Sequence, residues 1–178
     1  MALRKILTKG DEQLAKHCRP VEKFDDRLHM LIDDMRETLE NSGGVGLAAP
    51  QIGILRRVVV LLDINKDPEE MVELVNPEVI EQRGSERVVE GCLSVPDIWA
   101  PVVRPATVVF RATTLDGEVI ECECGGLLGR CIQHELDHLD GVLFVDRVSP
   151  EAARTIERDL KQLIRYGEKH HFHRIKVK

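Results

Sequence analysis

Residues 127–141, LLGRCIQHELDHLDG, constrain the fold of this chain more than any other segment. Placed on a helix at about 100° per residue, the stretch puts His134, Glu135 and His138 on one side. The opposite side is apolar and contains Leu128, Ile132, Leu136 and Leu139. The remaining arc is polar and contains Arg130, Gln133, Asp137 and Asp140. The pattern therefore predicts a central helix with a buried back and a reactive front.

The reactive side reads H-E-x-x-H, a spacing at which two imidazoles one turn apart can bind one metal ion. Glu135, between them, would then reach a water molecule beside the ion. A core-facing helix with two hydrogen-bonded histidines would give the same pattern, so both interpretations stay open for this stretch alone. Two ligands also leave a metal site incomplete, and the rest of the chain must supply a third.

The remaining periodicity predicts an α+β fold, with an antiparallel or mixed sheet packed around the central helix. Apolar residues recur at helical spacing from Asp25 until residues 41–44, NSGG, which predicts an N-terminal helix that covers the sheet. Ser149-Pro150 begins a C-terminal amphipathic helix that ends near Gly167. Strands are predicted at residues 58–63, 71–75, 79–89, 107–115, 118–124 and 142–145. The predicted breaks are Asn76-Pro77 and residues 83–85, and Asp116-Gly117 predicts a hairpin turn.

With 178 residues the chain is long enough for one well-buried domain and short for two. We expect a single domain over residues 1–167 and a basic, histidine-containing tail over residues 168–178. No apolar run approaches the length of a membrane span, and the start MALRK lacks the apolar stretch of a secretion signal. A cytoplasmic protein without a membrane partner is therefore expected.

The charge and the cysteine content exclude some classes of function and predict the redox state of the thiols. The formal net charge is −6, and the aromatic residues are one Trp, one Tyr and four Phe. Both facts argue against a whole-surface nucleic-acid binder that works by backbone attraction and base stacking, so no DNA partner is expected, while a local basic patch stays open. The five cysteines are odd in number and irregular in spacing, so most should be reduced thiols. Cys122 and Cys124 share one face of a predicted strand, where packing in the core is favoured over metal binding.

A run of small residues, GVGLAAPQ at 44–51, follows the first helix. Small side chains let the backbone approach another surface closely, and the run ends in the amide of Gln51. It lacks the Lys-Ser/Thr pair of a phosphate loop and the third glycine of a dinucleotide site. A tight packed turn and a strand that lines a ligand both remain open.

Cys92, in residues 90–94, EGCLS, is the natural third metal ligand. A thiolate and two imidazoles leave a fourth tetrahedral position open. His170, His171 and His173 are rivals, but a terminal tail makes a poor preorganised ligand.

The motifs GVGLAAPQ, EGCLS and QHELDH together resemble the three motifs of the peptide deformylases, in the same order and at similar separations. The resemblance covers about residues 3–165 and is greatest to the short bacterial subtype. The chain departs from that family at Gly43, where an acidic residue is common, at Cys124-Gly125, and at Gly129, where Ala is frequent. An interior glycine costs a helix about 1 kcal/mol, so the added glycines are expected to loosen the start of the central helix without removing a ligand.

The resemblance implies a metallohydrolase that removes the N-formyl group from the initiator methionine of nascent polypeptides and releases formate. The implied metal ligands are Cys92, His134 and His138. With a metal polarising the formyl oxygen, Glu135 would act first as general base and then as general acid. The Gln51 amide and the Leu93 backbone N–H would donate to the developing negative charge.

The methionine side chain would need a dry pocket beside the metal. The expected wall residues are Val45, Leu93, Leu127 and Cys131. Gly44 and Gly46 would let the peptide lie against the strand. Arg130 would contribute its aliphatic stem while its charge stays in water. Glu90 and Arg104 form either a supporting ion pair or two separately solvated charges.

The same resemblance implies one divalent ion per chain, ferrous iron in the cell, with zinc, nickel or cobalt also accommodated. The alternative function is a zinc peptidase with the same helix motif. Such enzymes usually take their third ligand downstream of the helix, whereas Cys92 lies upstream. A non-enzymatic module with a structural metal is a third alternative, and it leaves the carboxylate of Glu135 unexplained.

The C-terminal segment carries a concentrated positive charge. Six basic residues stand against one acidic residue between Lys161 and Lys178. Such a segment suits either a salt-sensitive contact with ribosomal RNA phosphates or a solvated tail. The resemblance favours docking to the ribosome, because the family acts on chains that emerge from it.

Overall fold

The computed structural model describes residues 2–63, 66 and 69–169. Within them, the α-helices are α1 (Asp26–Ser42), α2 (Gly126–Leu139) and α3 (Pro150–Lys169). The strands are β1 (Gly46–Ala48), β2 (Val58–Asp63), β3 (Glu70–Arg83), β4 (Glu86–Cys92), β5 (Val95–Arg104), β6 (Thr107–Thr113) and β7 (Val119–Gly125). They form a five-stranded antiparallel sheet in the order β1-β2-β3-β6-β7 and a separate antiparallel pair, β4-β5. The predicted α+β class is confirmed.

Helix α1 covers one face of the five-stranded sheet, as predicted. The side chain of Asp25 accepts hydrogen bonds from the backbone N–H groups of Arg27 and Leu28, which caps the start of the helix. Gly43, in the left-handed conformation at φ 71°, ends it. The apolar side of α1 packs against Val58, Val60 and Val75 of the sheet. This layer fixes the position of β1, which follows α1 directly.

Helix α2 lies between the two sheets, so the predicted central helix is confirmed. Its side chains Ile132, Leu136 and Leu139 pack with Val59, Leu61 and Leu74 of the five-stranded sheet. Three members of the polar arc, Arg130, Gln133 and Asp137, are also buried, and Arg130 and Asp137 bond to residues of β4 and β5, whereas Asp140 at the end of the helix is exposed. Most of the H-E-x-x-H helix is therefore buried.

The N-terminal segment crosses the molecule and is held by main-chain hydrogen bonds to distant parts of the chain. The N–H of Leu7 donates to the carbonyl of Gln51 at 2.7 Å, and that of Lys9 donates to Ser94 at 2.8 Å. The N–H of Cys18 donates to the carbonyl of Leu139, at the end of α2, at 2.8 Å. The segment thus connects the glycine-rich run, the β4–β5 turn and the central helix.

Strand β3 differs from the prediction. The sequence predicted a break at Asn76-Pro77, but the strand runs through both residues with a bulge between Val75 and Glu78. Asn76 adopts φ 50° and its side chain bonds the N–H and the carbonyl of Val21, which holds the bulge in place. The predicted break at residues 83–85 is correct, since Gly84 turns the chain at φ 67°.

The predicted strand at residues 142–145 is wrong, because a 3-10 turn, Phe144–Asp146, occupies this region. The Asp146 side chain accepts a hydrogen bond from the N–H of Leu143, and Phe144 is buried against β5 and α3. This hydrogen bond and the packing of Phe144 favour a turn over strand pairing. Helix α3 is confirmed, and it continues two residues beyond the expected end at Gly167. The tail after Lys169 lies outside the described residues.

The hairpin β6-β7 turns at Asp116-Gly117 as predicted, with Gly117 at φ 83°. Cys122 and Cys124 of β7 were predicted to pack in the core, and the structure confirms this for Cys124 only. Cys124 is half-buried against the core, but Cys122 is exposed because β7 is an edge strand. The five cysteines form no disulfide. No helix in the described part of the chain is long and apolar enough to cross a bilayer.

Candidate active site

Cys92, His134 and His138 bring three potential metal-ligand atoms together. These atoms all lie within 4.8 Å of one another, and His138 Nε2 is 3.3 Å from Cys92 Sγ. Among the described residues, no other group of three His, Cys, Asp or Glu side chains has such an arrangement. A thiolate and two imidazoles are a donor set that suits Zn²⁺ or Fe²⁺, so these residues fit a divalent ion. The rival histidines at 170, 171 and 173 lie outside the described residues.

The short connection between β4 and β5 holds Cys92 in place. Cys92 pairs with Val95 across this turn, and the N–H of Ser94 points at Cys92 Sγ from 3.4 Å. The amide of Gln51 approaches the same sulfur, with Nε2 at 3.7 Å, and donates to Ser94 Oγ at 3.1 Å. Polar N–H groups therefore face the sulfur from two separate elements of the fold.

Gln51 has one fixed orientation. Its Oε1 accepts a hydrogen bond from the N–H of Ala48 at 2.8 Å, so its Nε2 is turned toward Cys92. The side chain is buried at the 3-10 turn Ala49–Ile52, which follows β1. The end of the glycine-rich run is a packed turn, and residues 44–46 line the cavity, so contact with a ligand stays a prediction.

A buried carboxylate orients His134. Glu90 Oε2 lies 3.0 Å from His134 Nδ1, while Arg104 contacts both oxygens of Glu90, at 2.6 Å and 2.9 Å. Burial alone would raise the pKa of Glu90, but the hydrogen bonds from His134 and Arg104 outweigh it and hold that pKa below its ordinary value. A charged Glu90 accepts the Nδ1–H of His134 and leaves Nε2 for a metal.

The Glu90–Arg104 ion pair is confirmed, but the expectation for Arg130 is wrong. Only 5% of Arg130 is exposed, and its charge does not stay in water. Its Nη1 donates to Glu90 Oε1 at 2.7 Å and its Nη2 donates to Glu86 Oε1 at 3.0 Å. Two carboxylates on β4 make the burial of this guanidinium favourable.

Asp137 completes this buried network, a role that the sequence motifs did not indicate. It accepts hydrogen bonds from Arg104 at 2.8 Å and from Arg147 after α2. Asp137 follows His134 by three positions, so it could have been assigned to the same buried surface of the helix as the metal ligands. No local sequence pattern predicts its partners Arg104 and Arg147, because both lie outside α2.

Glu135 lies beside the three ligands and is enclosed. Burial raises its pKa to about 7, although the positive charges of His134 and Arg104 oppose the shift. Its Oε2 has no hydrogen-bond partner among the described residues, so this oxygen is available to a bound molecule. A Cβ at Gly46 would lie 2.6 Å from Glu135 Oε1 and 2.7 Å from Cys131 Sγ. Gly46 is therefore required for this carboxylate to occupy its position.

A cavity of about 480 Å³ opens beside Glu135 and the ligand group. All the residues predicted to bind substrate line it, namely Gly44, Val45, Gly46, Leu127, Arg130 and Cys131. Leu93 lines it as well, and its side chain packs over Gly44, where a Cβ would lie 2.8 Å from Leu93 Cδ1. Val89 and Trp99, which the motifs did not indicate, also line this cavity. Their positions on strands next to EGCLS could have indicated them.

Comparisons with known proteins agree with this site. The family model described as "Polypeptide deformylase" matches residues 3–154. The chain is 53% identical over 148 residues to a peptide deformylase of Caldicellulosiruptor bescii, covering 83% of this chain and 87% of that protein. It is 44% identical over 169 residues to a peptide deformylase of Acidobacterium capsulatum, covering 94% and 99%.

A solved structure agrees over most of the fold. The crystal structure of a peptide deformylase from Legionella pneumophila superposes with a TM-score of 0.85 at 45% sequence identity. The match covers 93% of this chain and 97% of that one. The described active-site motifs and the matched family model cover the same part of the chain. The chain therefore belongs to the peptide deformylase family.

Proposed function

We propose that Cys92, His134 and His138 hold one divalent metal ion, and that Glu135 moves the proton when the N-formyl group of a formyl-methionyl peptide is hydrolysed. The observation that carries this proposal is the convergence of three ligand atoms next to a buried carboxylate at a cavity. When bound, a divalent ion supplies Lewis-acid activation of water and of the formyl oxygen. We infer ferrous iron in the cell, with zinc, nickel or cobalt as substitutes that the same donors accommodate.

The proton transfer belongs to Glu135. As general base, its carboxylate takes the proton of the attacking water molecule, and it then gives a proton to the leaving amine of methionine. Burial favours the protonated form of this carboxyl and so suits it to give back the proton that it has accepted. Glu135 is buried, and it borders the cavity through which a water molecule and the substrate would reach it.

Gln51 and Leu93 stabilise the negative charge that develops on the formyl oxygen. The Gln51 amide is preorganised, because Ala48 fixes its Oε1 and turns its Nε2 toward Cys92. Leu93 follows Cys92 in the turn and would supply its backbone N–H from the other side. Neither group has to reorganise during the reaction.

The methionine side chain occupies the cavity beside the ligand group. Val45, Leu127 and Cys131 provide its apolar walls. The guanidinium of Arg130 is tied to β4, so this residue supports the wall instead of presenting a free charge to the substrate. Burial raises the pKa of the Cys131 thiol well above its ordinary value, which keeps that wall uncharged.

The direct test compares formyl-Met-Ala-Ser with unformylated Met-Ala-Ser. We expect formate and free Met-Ala-Ser from the first peptide and no change in the second. Cleavage of an internal peptide bond in both would instead indicate a peptidase, and no reaction in the presence of metal would indicate a binding module.

The ligand assignment has its own test. Cys92→Ser should lower the metal content of the purified protein, while the matched control Cys122→Ser, at an exposed position on β7, should keep it. Equal metal content in the two variants would contradict Cys92 as a ligand.

We further propose that residues 1–167 form one catalytic domain in the cytoplasm and that the basic C-terminal segment docks to the ribosome. Nascent formylated chains are the substrate, so a contact with ribosomal RNA phosphates would raise the local concentration of enzyme near them.

A further inference from the structure

A second cavity, a groove of about 750 Å³, lies between the first half of α1 and the loop that precedes this helix. Among the described residues, none lines both this groove and the catalytic cavity. Helix α1 packs on Val58 and Val60 of β2, whereas α2 packs on Val59 and Leu61. Successive side chains of a strand point to opposite faces, so the groove lies with α1 on the side of the sheet away from the active site. We call this cavity the α1 groove.

The α1 groove is positively charged, although the whole chain has a formal net charge of −6. Its cationic lining residues are Arg4, Arg19, Lys23, Arg27 and Arg56. Arg4 is neutralised, because its Nε donates to Asp34 Oδ2 at 2.9 Å. The other two carboxylates that line the groove belong to Glu22 and Asp25, and Asp25 also caps α1. Four cations therefore face two carboxylates, which favours an anionic ligand.

Arg19 and Arg56 are the two cations that most require a counter-charge. Their backbones form a parallel bridge, in which the N–H of Arg19 donates to the carbonyl of Leu55 at 3.2 Å and the N–H of Arg57 donates to the carbonyl of Arg19 at 3.0 Å. Residues opposed across such a bridge are neighbours, and like charges there repel each other. Within the described part of the chain, no carboxylate forms an ion pair with either residue, whereas the next residue, Arg57, bonds to Asp140 at 2.7 Å. An anion bound by both guanidinium groups would remove this repulsion.

The floor of the α1 groove is aliphatic. Leu28 is buried, Val21, Leu31 and Ile54 are half-buried, and Met30 is 66% exposed. No aromatic side chain is found among the described residues that line the groove, so it offers no surface on which a nucleobase would stack. The flexible thioether of Met30 adapts its shape to an apolar ligand. The lining therefore fits an anionic head group that is joined to an aliphatic chain.

We propose that the α1 groove binds a phosphate monoester with an aliphatic chain, with the phosphate at Arg19 and Arg56 and the chain along Met30 and Leu31. A phosphate monoester carries a charge of about −1.5 to −2 at pH 7, which matches two guanidinium groups. Its oxygens accept the paired hydrogen bonds that the planar guanidinium donates. A carboxylate has a single charge and would leave one arginine unbalanced. This site is independent of the deformylase reaction and adds a second binding function to the chain.

Calorimetric titration of the metal-loaded protein with octyl phosphate tests this site. We expect one ligand per chain and a Kd at least about 10-fold lower than that of inorganic phosphate, because burial of about two methylene groups already gives this factor. Octyltrimethylammonium has the same chain and the opposite charge, and it should not bind. Equal affinities for octyl phosphate and octyltrimethylammonium would overturn the proposal.

Three variants separate the head group from the chain. Arg19→Gln/Arg56→Gln should raise the Kd of octyl phosphate at least about 10-fold, since both charged donors are lost. Arg158→Gln is the matched control, because Arg158 is exposed on α3 and lies outside the groove, and it should leave the Kd unchanged. Met30→Ser should weaken octyl phosphate and leave inorganic phosphate unchanged. All four positions are exposed, so the variants should fold as the wild type does. An equal Kd in the double variant and in Arg158→Gln would contradict the proposal.

Kinetics locate the bound phosphate, because a phosphate could also reach a metal ion in the active site. Hydrolysis of formyl-Met-Ala-Ser should be unchanged at a saturating concentration of octyl phosphate, since the two cavities lie on opposite sides of the sheet. Competitive inhibition that persists in Arg19→Gln/Arg56→Gln would place the ligand in the catalytic cavity and reject the α1 groove. A failure of the deformylase reaction itself would leave the calorimetric result unaffected.

Two sources share this ligand chemistry, a free phosphate monoester and the head group of phosphatidic acid in a membrane. Co-sedimentation with phosphatidylcholine vesicles that contain phosphatidic acid distinguishes them. Capture that is lost in Arg19→Gln/Arg56→Gln would support the site with a membrane head group as its ligand. Binding of octyl phosphate without capture by vesicles would support it with a free ester. Tighter binding of the acidic peptide acetyl-Glu-Leu-Glu-Leu-Glu than of octyl phosphate would overturn the assignment to a phosphate.

Discussion

Helix α2 separates two parts of the protein core, an apolar interior on one side and an ionic interior on the other. On one side Ile132, Leu136 and Leu139 pack with aliphatic residues of the five-stranded sheet. On the other side the helix contacts β4 and β5 through buried charges. Arg104 of β5 bonds to both Glu90 and Asp137, and Arg130 of the helix bonds to Glu90. The apolar interior tolerates small shifts, since its contacts are non-directional. The ionic interior does not, because each charge is stable only while its partners are in place.

The largest expected effect comes from removing one charge of the ionic interior. Arg104→Met should lower the free energy of unfolding by about 3–5 kcal/mol, because Glu90 and Asp137 would lose their shared partner while staying buried. Denaturant unfolding measures this. Arg111→Met is the matched control, since Arg111 also contacts two carboxylates but on an exposed surface, where a change below about 1 kcal/mol is expected. A similar loss of unfolding free energy in both variants would show that burial does not determine how much an ion pair contributes to stability.

On the apolar side, Leu139→Ala should lower the free energy of unfolding by about 2–5 kcal/mol through lost burial and the cavity left behind. Measuring metal retention as well distinguishes Leu139→Ala from Arg104→Met, although both variants lose stability. Chelator-driven metal loss should be faster in Arg104→Met than in Leu139→Ala at a matched margin of stability, because only Arg104 supports Glu90 and through it His134. Equal rates of loss would mean that the two sides do not differ in this function.

Glu135 borders the same cavity as Cys92 and His134, and it should matter for chemistry and not for metal binding. Glu135→Gln is nearly isosteric and should reduce turnover at least about 100-fold while the metal stays stoichiometric. Formate release and metal analysis of the same sample provide the check. Loss of metal in this variant would show that the carboxylate is a ligand instead.

A smaller effect is expected at Gly129, in the first half of α2. Helix propensity alone predicts that Gly129→Ala would stabilise the protein by about 1 kcal/mol. The structure predicts the opposite sign, because the new Cβ would lie 2.9 Å from the backbone oxygen of Cys124, which cannot move as a side chain can. Thermal unfolding decides between them, and a raised Tm would contradict the structural explanation.

The smallest effect on catalysis is expected from the C-terminal tail, because every proposed catalytic residue precedes Leu139 in the sequence. Removal of residues 168–178 should leave hydrolysis of a short formyl-peptide nearly unchanged while reducing salt-sensitive co-sedimentation with ribosomes. Equal co-sedimentation of the full-length and truncated proteins at low salt would reject the docking role.

The same contrast explains what the sequence could predict. The apolar side of α2, the H-E-x-x-H group and helix α1 follow from periodicity within one continuous segment. The thiolate of Cys92 came from motif chemistry and stays a proposal as a ligand. The burial of Arg130 and the bond from Arg104 to Asp137 could not be predicted in this way, because the partners Glu90 and Arg104 lie on strands far away in sequence. Asn76 shows the same limit, since the bond that keeps β3 continuous goes to Val21.

The three main-chain bonds of the N-terminal segment have a consequence for the biosynthesis of this enzyme. The segment is the first part to be translated, yet its partners Gln51, Ser94 and Leu139 follow much later. Contacts between residues so far apart in sequence close late in folding and slow it. The N–H of Cys18 therefore cannot bond to the carbonyl of Leu139 until α2 has been synthesised. The end of α2 is held by the N-terminal segment only when most of the polypeptide has been made. An enzyme that trims newly made chains thus becomes competent itself only near the end of its own synthesis.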